Sequence, residues 1–361
     1  MNKAFKFLLR PTADQRELLA KTFGCCRFIY NRMLADKIAY YEATGKMLNC
    51  YPSQYKQEYP WLREVDSLAL VGSYNALQAA YRNFFRDKSI GFPKFKSRHR
   101  GHNSYTTNLI NGNISLAEGY LKLPKLGKVS VKQHRQIPSG YRLKSVTVSL
   151  TPAGKYYAAI LYEYDAEILP VQPAIVTGLD YSMSELYVGS DGSKPEYPKP
   201  YRRMQEKLAK AQRKLSRRQK DGRNREKQRK KVAILHERIA NQRRDFLHKQ
   251  SRQIANAYDA VCIEDLNMRE MAQALNFGKS VADNGWGMFT QFLEYKLQEQ
   301  GKRLIRIGKW FPSSKTCSMC GRVKEELSLS ERIYHCDCGF VCDRDVNAAI
   351  NIRNEGLRIL A

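Results

Sequence analysis

Apolar residues change their spacing several times along this chain, and each change predicts a different kind of element. The opening KAFKFLLRP alternates like a short strand and is closed by Pro11. Thr12-x-x-Gln15 then forms a capping box. Leu18, Leu19, Phe23, Cys26, Ile29, Tyr30, Met33, Leu34 and Ile38 follow at helical spacing, up to a stop at Thr44-Gly45. After a Tyr/Pro-rich link, Ser67 is placed to cap a second helix that buries Leu70, Tyr74, Leu77, Tyr81, Phe84 and Phe85. Residues 11–90 therefore read as a helical unit. From Gly91 the basic, aromatic loop GFPKFKSRHRGHNSY leads into LKLPKLGKVSVKQ, LKSVTVSL and KYYAAILYEY. Their period-two alternation, with Pro and Gly between runs, predicts a small β-barrel or curved sheet over 91–169. The strand at 1–10 is assigned to the same sheet, with the helices inserted between.

Pro170 to Pro173 mark a boundary. Beyond it, AIVTGLDYSMSELYVGSDG reads as strand, turn and strand. Met204, Leu208, Ala211 and Leu215 recur at helical spacing, Asp221-Gly222 breaks the pattern, and Val232, Leu235, Ile239 and Phe246 resume it. That pattern predicts an antiparallel helical hairpin with a narrow apolar seam over 201–250. DAVCIEDLNM reads as a buried strand, Trp286 to Glu299 as an amphipathic helix stopped by Gly301, and RLIRIGKWF as a further strand. A cysteine-rich knot follows, and Asp343 to Asn354 is the last helix.

Charge changes the picture most. The chain has 361 residues, a net charge of +27 and a 43% hydrophobic fraction, the last being ordinary for a folded protein. Its apolar runs, such as Ala158–Leu161, are far too short to cross a bilayer, and MNKAFKFLLRPT lacks a cleavable apolar segment. These features lead us to expect a soluble, cytoplasmic chain with no membrane partner. The positive charge is clustered: residues 201–250 contain 19 Lys/Arg against 5 Asp/Glu. An excess of that size favours a polyanion, nucleic acid first, over a merely solvated coiled-coil arm. Arg217, Arg218, Arg243 and Arg244 on the arm and Lys94, Lys96 and Arg98 in the loop are candidate backbone contacts. Asn75, Gln78 and Arg82 lie away from the apolar face of the second helix, as base readers or as plain solvent-facing residues.

Five of the nine cysteines are gathered at metal-ligand spacing, whereas Cys25, Cys26, Cys50 and Cys262 sit among apolar residues as core thiols. Cys317-x2-Cys320 and Cys336-x-Cys338 each end in Cys-Gly, which lets backbone N–H groups turn toward a thiolate. Four thiolates suit a closed, tetrahedral, structural Zn²⁺ site. The second pair is one residue shorter than the common form, so Cys342 stays open as a substitute ligand. Three carboxylates invite comparison: Asp180 after the strand AIVTGL, Glu264 at the end of AVCIE, and Asp345 at the start of the final helix. Acids at the ends of apolar strands are costly to bury unless paired or bound to a cation. Each alone reads as a cap or an ion-pair partner rather than a catalyst. Together, with no histidine among them, they suit hard ions such as Mg²⁺, and two such ions can promote phosphodiester hydrolysis.

The order Asp, Glu, Asp on a strand, a later strand and a C-terminal helix resembles the RuvC nuclease version of the ribonuclease H fold. More specifically, GLDYS around Asp180, NQRRDFLHKQS at 241–251, IEDLNM at Glu264, WFPSSKTCSMCG at 310–321 and DRDVNAAIN at 343–351 resemble the TnpB (OrfB) proteins of bacterial insertion sequences. These are relatives of the type V CRISPR effectors. GFPKFKSR at 91–98 and LPKLGKV at 123–129 match as well, so the resemblance spans nearly the whole length.

The resemblance implies an α+β multidomain chain. A wedge-like barrel would comprise 1–10 and 91–169, and a helical recognition unit 11–90. A RuvC-like α/β domain would comprise 170–312 and 342–361, with a zinc-binding insertion at 313–341. By position it implies Asp180, Glu264 and Asp345 as catalytic and magnesium-holding acids, Asp343 ranking behind Asp345, and Asn347 and Asn351 steadying the site. Met183-Ser184-Glu185 departs from the family, an acid standing where many relatives carry a lysine.

The implied activity is RNA-guided, Mg²⁺-dependent cleavage of double-stranded DNA beside a short flanking motif. The guide RNA would come from the element's own end, and an element-encoded transposase would share the locus. A nuclease-inactive, RNA-guided DNA-binding repressor would share fold and charge but should have lost an acid, and all three are present. A cut-and-paste transposase usually ends its acid order in Glu, whereas the last acid here is Asp; a transposase accessory protein is the remaining alternative.

Overall fold

Two units, Met1–Ala166 and Glu167–Ala361, make up the chain. The computed structural model describes every residue except 99–102, 274–277 and 329, together with the side chains of 269, 279, 280 and 282. The end of the expected basic loop, residues 99–102, therefore lies outside the described residues. Among the described residues, no helix is long and apolar enough to cross a membrane.

The first unit is built on a mixed pattern of long helices and a single antiparallel sheet. Strand β1 (Asn2–Arg10) is followed by helices α1 (Ala13–Thr44), α2 (Tyr55–Glu58) and α3 (Ser67–Arg86). Six strands come next: β2 (Asn103–Asn108), β3 (Ser115–Ala117), β4 (Tyr120–Leu123), β5 (Gly127–Lys132), β6 (Arg142–Leu150) and β7 (Tyr156–Glu163). They order as β2-β6-β7-β1-β5-β4-β3, so the opening strand is central although its neighbours lie more than a hundred residues away in sequence. Alternation turns Phe5, Phe7 and Leu9 of β1 inward. They join Leu19, Ile29, Met33, Leu70 and Leu77 of the helices in one continuous core.

Thr12 and Gln15 form the expected reciprocal cap, and Gly45 ends α1 at φ 68°, a left-handed position that costs glycine little. The cap of α3 differs from expectation. The Asp66 carboxylate accepts from Leu68 N–H at 2.9 Å, and Ser67 is the first helical residue. A carboxylate at that end also complements the helix dipole. Phe85, expected to be buried, is 62% exposed.

The second unit alternates strands and helices. Its elements are β8 (Val176–Ser182), β9 (Leu186–Gly189), α4 (Pro200–Ser216), α5 (Arg223–Ala257), β10 (Ala260–Glu264), α6 (Met268–Gln273), α7 (Gly278–Asn284) and α8 (Trp286–Gln298). β11 (Arg303–Ile307), β12 (Ile333–His335), β13 (Val341–Asp343) and α9 (Arg344–Leu360) complete it. The main sheet runs β11-β10-β8-β9, with β8, β10 and β11 parallel and β9 antiparallel to β8. Both faces are covered, which is why β10 reads as an unbroken apolar run. Val261 and Ile263 face Leu247, Ile254, Phe289 and Leu293 of α5 and α8, whereas Cys262 and Ile305 share a cluster with Ile352 of α9.

The expected basic hairpin is α4 and α5, sealed by Leu208, Val232 and Ile239 with Met204, Ala211, Leu215 and Leu235 beside them. Phe246 leaves that seam and packs edge-on against Tyr197, with ring centroids 5.2 Å apart.

Helix α9 lies so close to the sheet that two glycines are required. A Cβ at Gly178 would stand 2.1 Å from the Ala349 carbonyl oxygen, and one at Gly356 2.1 Å from Cys262 Sγ. Gly178→Ala should therefore destabilise the protein by about 1–3 kcal/mol, the usual cost of overpacking a close contact. In α1, Gly24 has open space at the Cβ position, so Gly24→Ala should be neutral or stabilise by about 0.5–1 kcal/mol. Denaturant unfolding of the two variants checks both signs.

Candidate active site

Parallel register brings two of the three expected acids together. Cys262 pairs with Gly178 and Ile263 with Leu179, so the next residues along are Glu264, the last of β10, and Asp180, which lies inside β8 rather than after it as expected. Neighbouring strands lie about 4.8 Å apart. The third acid arrives on α9. Ala349 touches Gly178, and Asp345 is one helical turn, about 6 Å, before Ala349. Asp180 is two strand residues, about 6.6 Å, beyond Gly178. With α9 running back along β8, as the interaction of Asp345 with Asp180 requires, the matching offsets bring the two acids near each other.

Electrostatics carry the mark of that convergence. The half-buried Asp180 carboxyl is held well above the usual carboxylate range, first by burial, then by repulsion from Glu264 and Asp345. Tyr181 N–H and Arg344 pull less strongly the other way. Burial also raises Glu264, against a hydrogen bond donated to it by the Ser313 hydroxyl. Arg344 and Lys194 compensate the cluster only in part, since Asp180 still ends well above the usual range.

Asp343 is committed elsewhere. Its Oδ1 accepts from Asp345 N–H at 2.9 Å and Val346 N–H at 3.1 Å, capping α9, and its Oδ2 pairs with Lys194 Nζ at 2.8 Å. Burial pushes Asp343 up, but Lys194 and the two N–H donors together lower it more. The cap fixes the first turn of the helix that presents Asp345.

The cysteine knot and this helix are tied together. Sγ atoms of Cys317, Cys320, Cys336 and Cys338 all lie within 4.8 Å of one another. Cys317–Cys338 is 3.8 Å and Cys320–Cys336 is 3.6 Å. Four sulfurs about 2.3 Å from one tetrahedral ion would be roughly 3.8 Å apart, so the thiols fit a metal. Cys342 stands outside the group, in the β12–β13 ladder opposite Tyr334. Gly321 and Gly339 turn the chain at φ 75° and 85° after each pair, as the Cys-Gly spacing suggested.

From α9, the buried Asn347 donates to Thr316 O at 2.7 Å and accepts from Ser318 N–H at 3.0 Å. Asn351 donates to Ser313 O at 2.8 Å and to Thr316 O at 2.6 Å. The segment so held runs from Ser313, the partner of Glu264, into Cys317.

The expected nucleic-acid contacts divide. Asn75, Arg82, Lys94, Arg98, Arg217, Arg218 and Arg244 are exposed, and Gln78 is half-buried. The Lys96 ammonium lies 3.9 Å from the Tyr30 ring centroid, and its backbone is gripped by the Asn31 side chain. Arg243, a candidate backbone contact on the arm, is engaged within the protein. It donates to the Asp283 carbonyl at 2.8 Å and pairs with the Asp283 carboxylate at 3.2 Å. That carboxylate also accepts from Tyr201 and Arg202 N–H, anchoring the start of α4.

Sequence reasoning passed over Ser313, Lys194 and Asp283. The Pro-Ser-Ser turn after a strand and the Asp-Asn-Gly break before Trp286 were their only signals. At the departure from family pattern, Glu185 accepts from the hydroxyls of Ser182 and Ser184, closing the β8–β9 turn.

The chain is similar to known proteins along almost its whole length. Residues 159–275 match the OrfB_IS605 family model, described as "Probable transposase". Residues 286–352 match the Cas12f1-like TNB domain. Residues 1–46 match a helix-turn-helix domain, although here they form β1 and the single long helix α1. Two relatives carry the name "Putative RNA-guided DNA endonuclease". One, from Streptomyces pristinaespiralis, is 37% identical, with 99% of this chain and 90% of the relative aligned. The other, InsQ of Escherichia coli strain K12, is 34% identical, covering 99% and 93% respectively. The chain belongs to the TnpB (OrfB) family, related to Cas12f. In fold it is similar to Cas12f1 solved with its guide RNA and target DNA, at a TM-score of 0.61 and 13% identity over 98% of this chain and 99% of that one.

Because the buried Asn351 makes two hydrogen bonds to the segment holding the knot, Asn351→Ala should cost about 1–3 kcal/mol. Denaturant unfolding checks the loss, and proteolysis within residues 313–325 should become faster.

Proposed function

We propose that the protein is a transposon-associated, RNA-guided DNA endonuclease. The observation that carries this reading is the adjacency of Asp180, Glu264 and Asp345, in which burial and the charges of the other two hold the Asp180 carboxyl well above the usual carboxylate range. It stands in a chain of net charge +27 aligned over almost its whole length with relatives named for that activity. In this reading the second unit is a RuvC-like domain, with residues 313–341 a zinc-binding insertion. The sheet of the first unit is the wedge, with residues 11–90 the helical recognition unit set into it.

Asp180, Glu264 and Asp345 would hold two Mg²⁺ ions. When bound, such ions activate the attacking water and stabilise the leaving oxygen of the phosphodiester. The chain's own contribution is positional. The ladder sets Glu264 beside Asp180, Asp343 fixes the turn carrying Asp345, and Ser313 orients Glu264. Guide and target would supply sequence recognition by base pairing, and the protein would read backbone shape and a short flanking motif. The exposed Lys and Arg residues of α4 and α5 suit RNA and heteroduplex backbone. A guide RNA from the element's own end and a transposase from the same locus complete the proposed setting. The transposase description of the family model fits less well, because the last acid is Asp345 rather than a glutamate.

Protein purified with its co-expressed RNA should cut a matched DNA duplex in Mg²⁺ and leave a mismatched one intact. Asp180→Ala, Glu264→Ala and Asp345→Ala should each lower cleavage by roughly a thousandfold or more. Duplex binding should remain. Asp343→Asn should lose much less, since it alters a cap rather than a carboxylate of the cluster. Retained cleavage in the three alanine variants would sink the assignment. Elemental analysis should find one zinc per chain, and Cys336→Ser should lose it together with thermal stability. Structural zinc in such knots stabilises the fold itself.

A further inference from the structure

Trp310 is 86% exposed, whereas Trp286 is buried at 3% and Trp61 is 40% exposed. Trp310 is thus the most exposed of the three tryptophans. Its place is tightly bounded. Ile307 pairs with Glu264 in the parallel ladder, and the Ser313 hydroxyl donates to the Glu264 carboxylate. The loop between them, residues 308–312, thus starts and ends at the middle acid of the cluster. Trp310 is three residues from either anchor, so its Cα lies within roughly 11 Å of each. Phe311 N–H bonds to Gly308 O at 3.1 Å, and Ser313 N–H to Phe311 O at 2.9 Å, so the loop turns tightly. Phe311 packs inward against the cluster of Cys262, Ile305 and Ile352, leaving Trp310 outward.

Lys309 Nζ sits 5.1 Å from the Trp310 ring centroid and 3.2 Å from the Glu270 carboxylate. The lysine thus lies against the ring with its charge shared between the ring and Glu270. Aromatic rings with nearby cations are the usual means of gripping unpaired bases without reading sequence, because every base offers a flat face.

We propose that Trp310 is a stacking platform for an unpaired nucleobase of the DNA strand whose phosphate lies at Asp180, Glu264 and Asp345. The proposal rests on the nuclease reading of that site and adds a substrate-positioning residue to it. A stacked base next to the cut would hold the strand in the register that brings its phosphate to the acids. A docking surface for another protein would need a wider apolar patch than this ring flanked by Lys309.

The test uses the full chain with its copurified RNA. Trp310→Ala should slow single-turnover cleavage of matched duplex by roughly ten- to a hundredfold, the fold-change expected for one stacked base. Melting temperature, RNA content and duplex binding should stay unchanged, and Trp310→Phe should restore most of the rate. In an Asp180→Ala background, a short single-stranded deoxyoligonucleotide should quench tryptophan fluorescence, and adding Trp310→Ala should remove that quenching. Wild-type cleavage by Trp310→Ala, failure of Phe to rescue, or undiminished quenching without Trp310 would overturn the proposal. If the wild-type protein cuts no DNA, the nuclease reading falls and the quenching experiment alone decides whether Trp310 stacks on single strands.

Discussion

Three carboxylates crowded at one half-buried place repel one another, and most features of the second unit answer to that repulsion. At an effective dielectric constant near 20, two unit charges about 5 Å apart repel by about 3 kcal/mol. Asp180 registers the strain by holding its proton more tightly than an ordinary aspartate. Such a cluster persists only where its backbone supports are stiffer than the force pushing them apart. A parallel ladder fixes Glu264 beside Asp180, and the glycine contacts at Gly178 and Gly356 seat α9 directly on that ladder.

The cysteine knot belongs to the same scheme. Its own four thiols face one another and leave no position for chemistry, yet Asn347 and Asn351 join its root to the helix carrying Asp345. Ser313, at the start of that root, also meets Glu264. One short segment therefore touches two of the three acids' supports. A metal that stiffens the knot would stiffen the site without entering it.

Much of this was legible from residues alone, for definite reasons. The strand at 2–10, the capping box at Thr12 and the apolar seam of the basic hairpin follow from local periodicity, which the fold kept. The four clustered thiols were legible because metal ligands must recur at short spacings. What escaped were side chains whose roles depend on distant partners. Arg243 looked like one more charge on a basic helix until Asp283, forty residues on, drew it inward. Ser67 looked like a cap because hydroxyls usually serve, but the neighbouring Asp66 takes the cap position and accepts from Leu68 N–H. Phe85 fell on the expected apolar face, yet it lies at the end of α3, where that face is left uncovered. The grouping of the acids itself could not be read from spacing, since it depends on strand register and on the seating of α9.

The most direct measurement of the central claim is anomalous scattering from crystals of the protein soaked in Mn²⁺, a stand-in for Mg²⁺. The account predicts anomalous density bounded by the carboxylates of Asp180, Glu264 and Asp345, and its loss in crystals of Asp180→Ala. Density at other acids with none at these three, or density unchanged by the substitution, would contradict it.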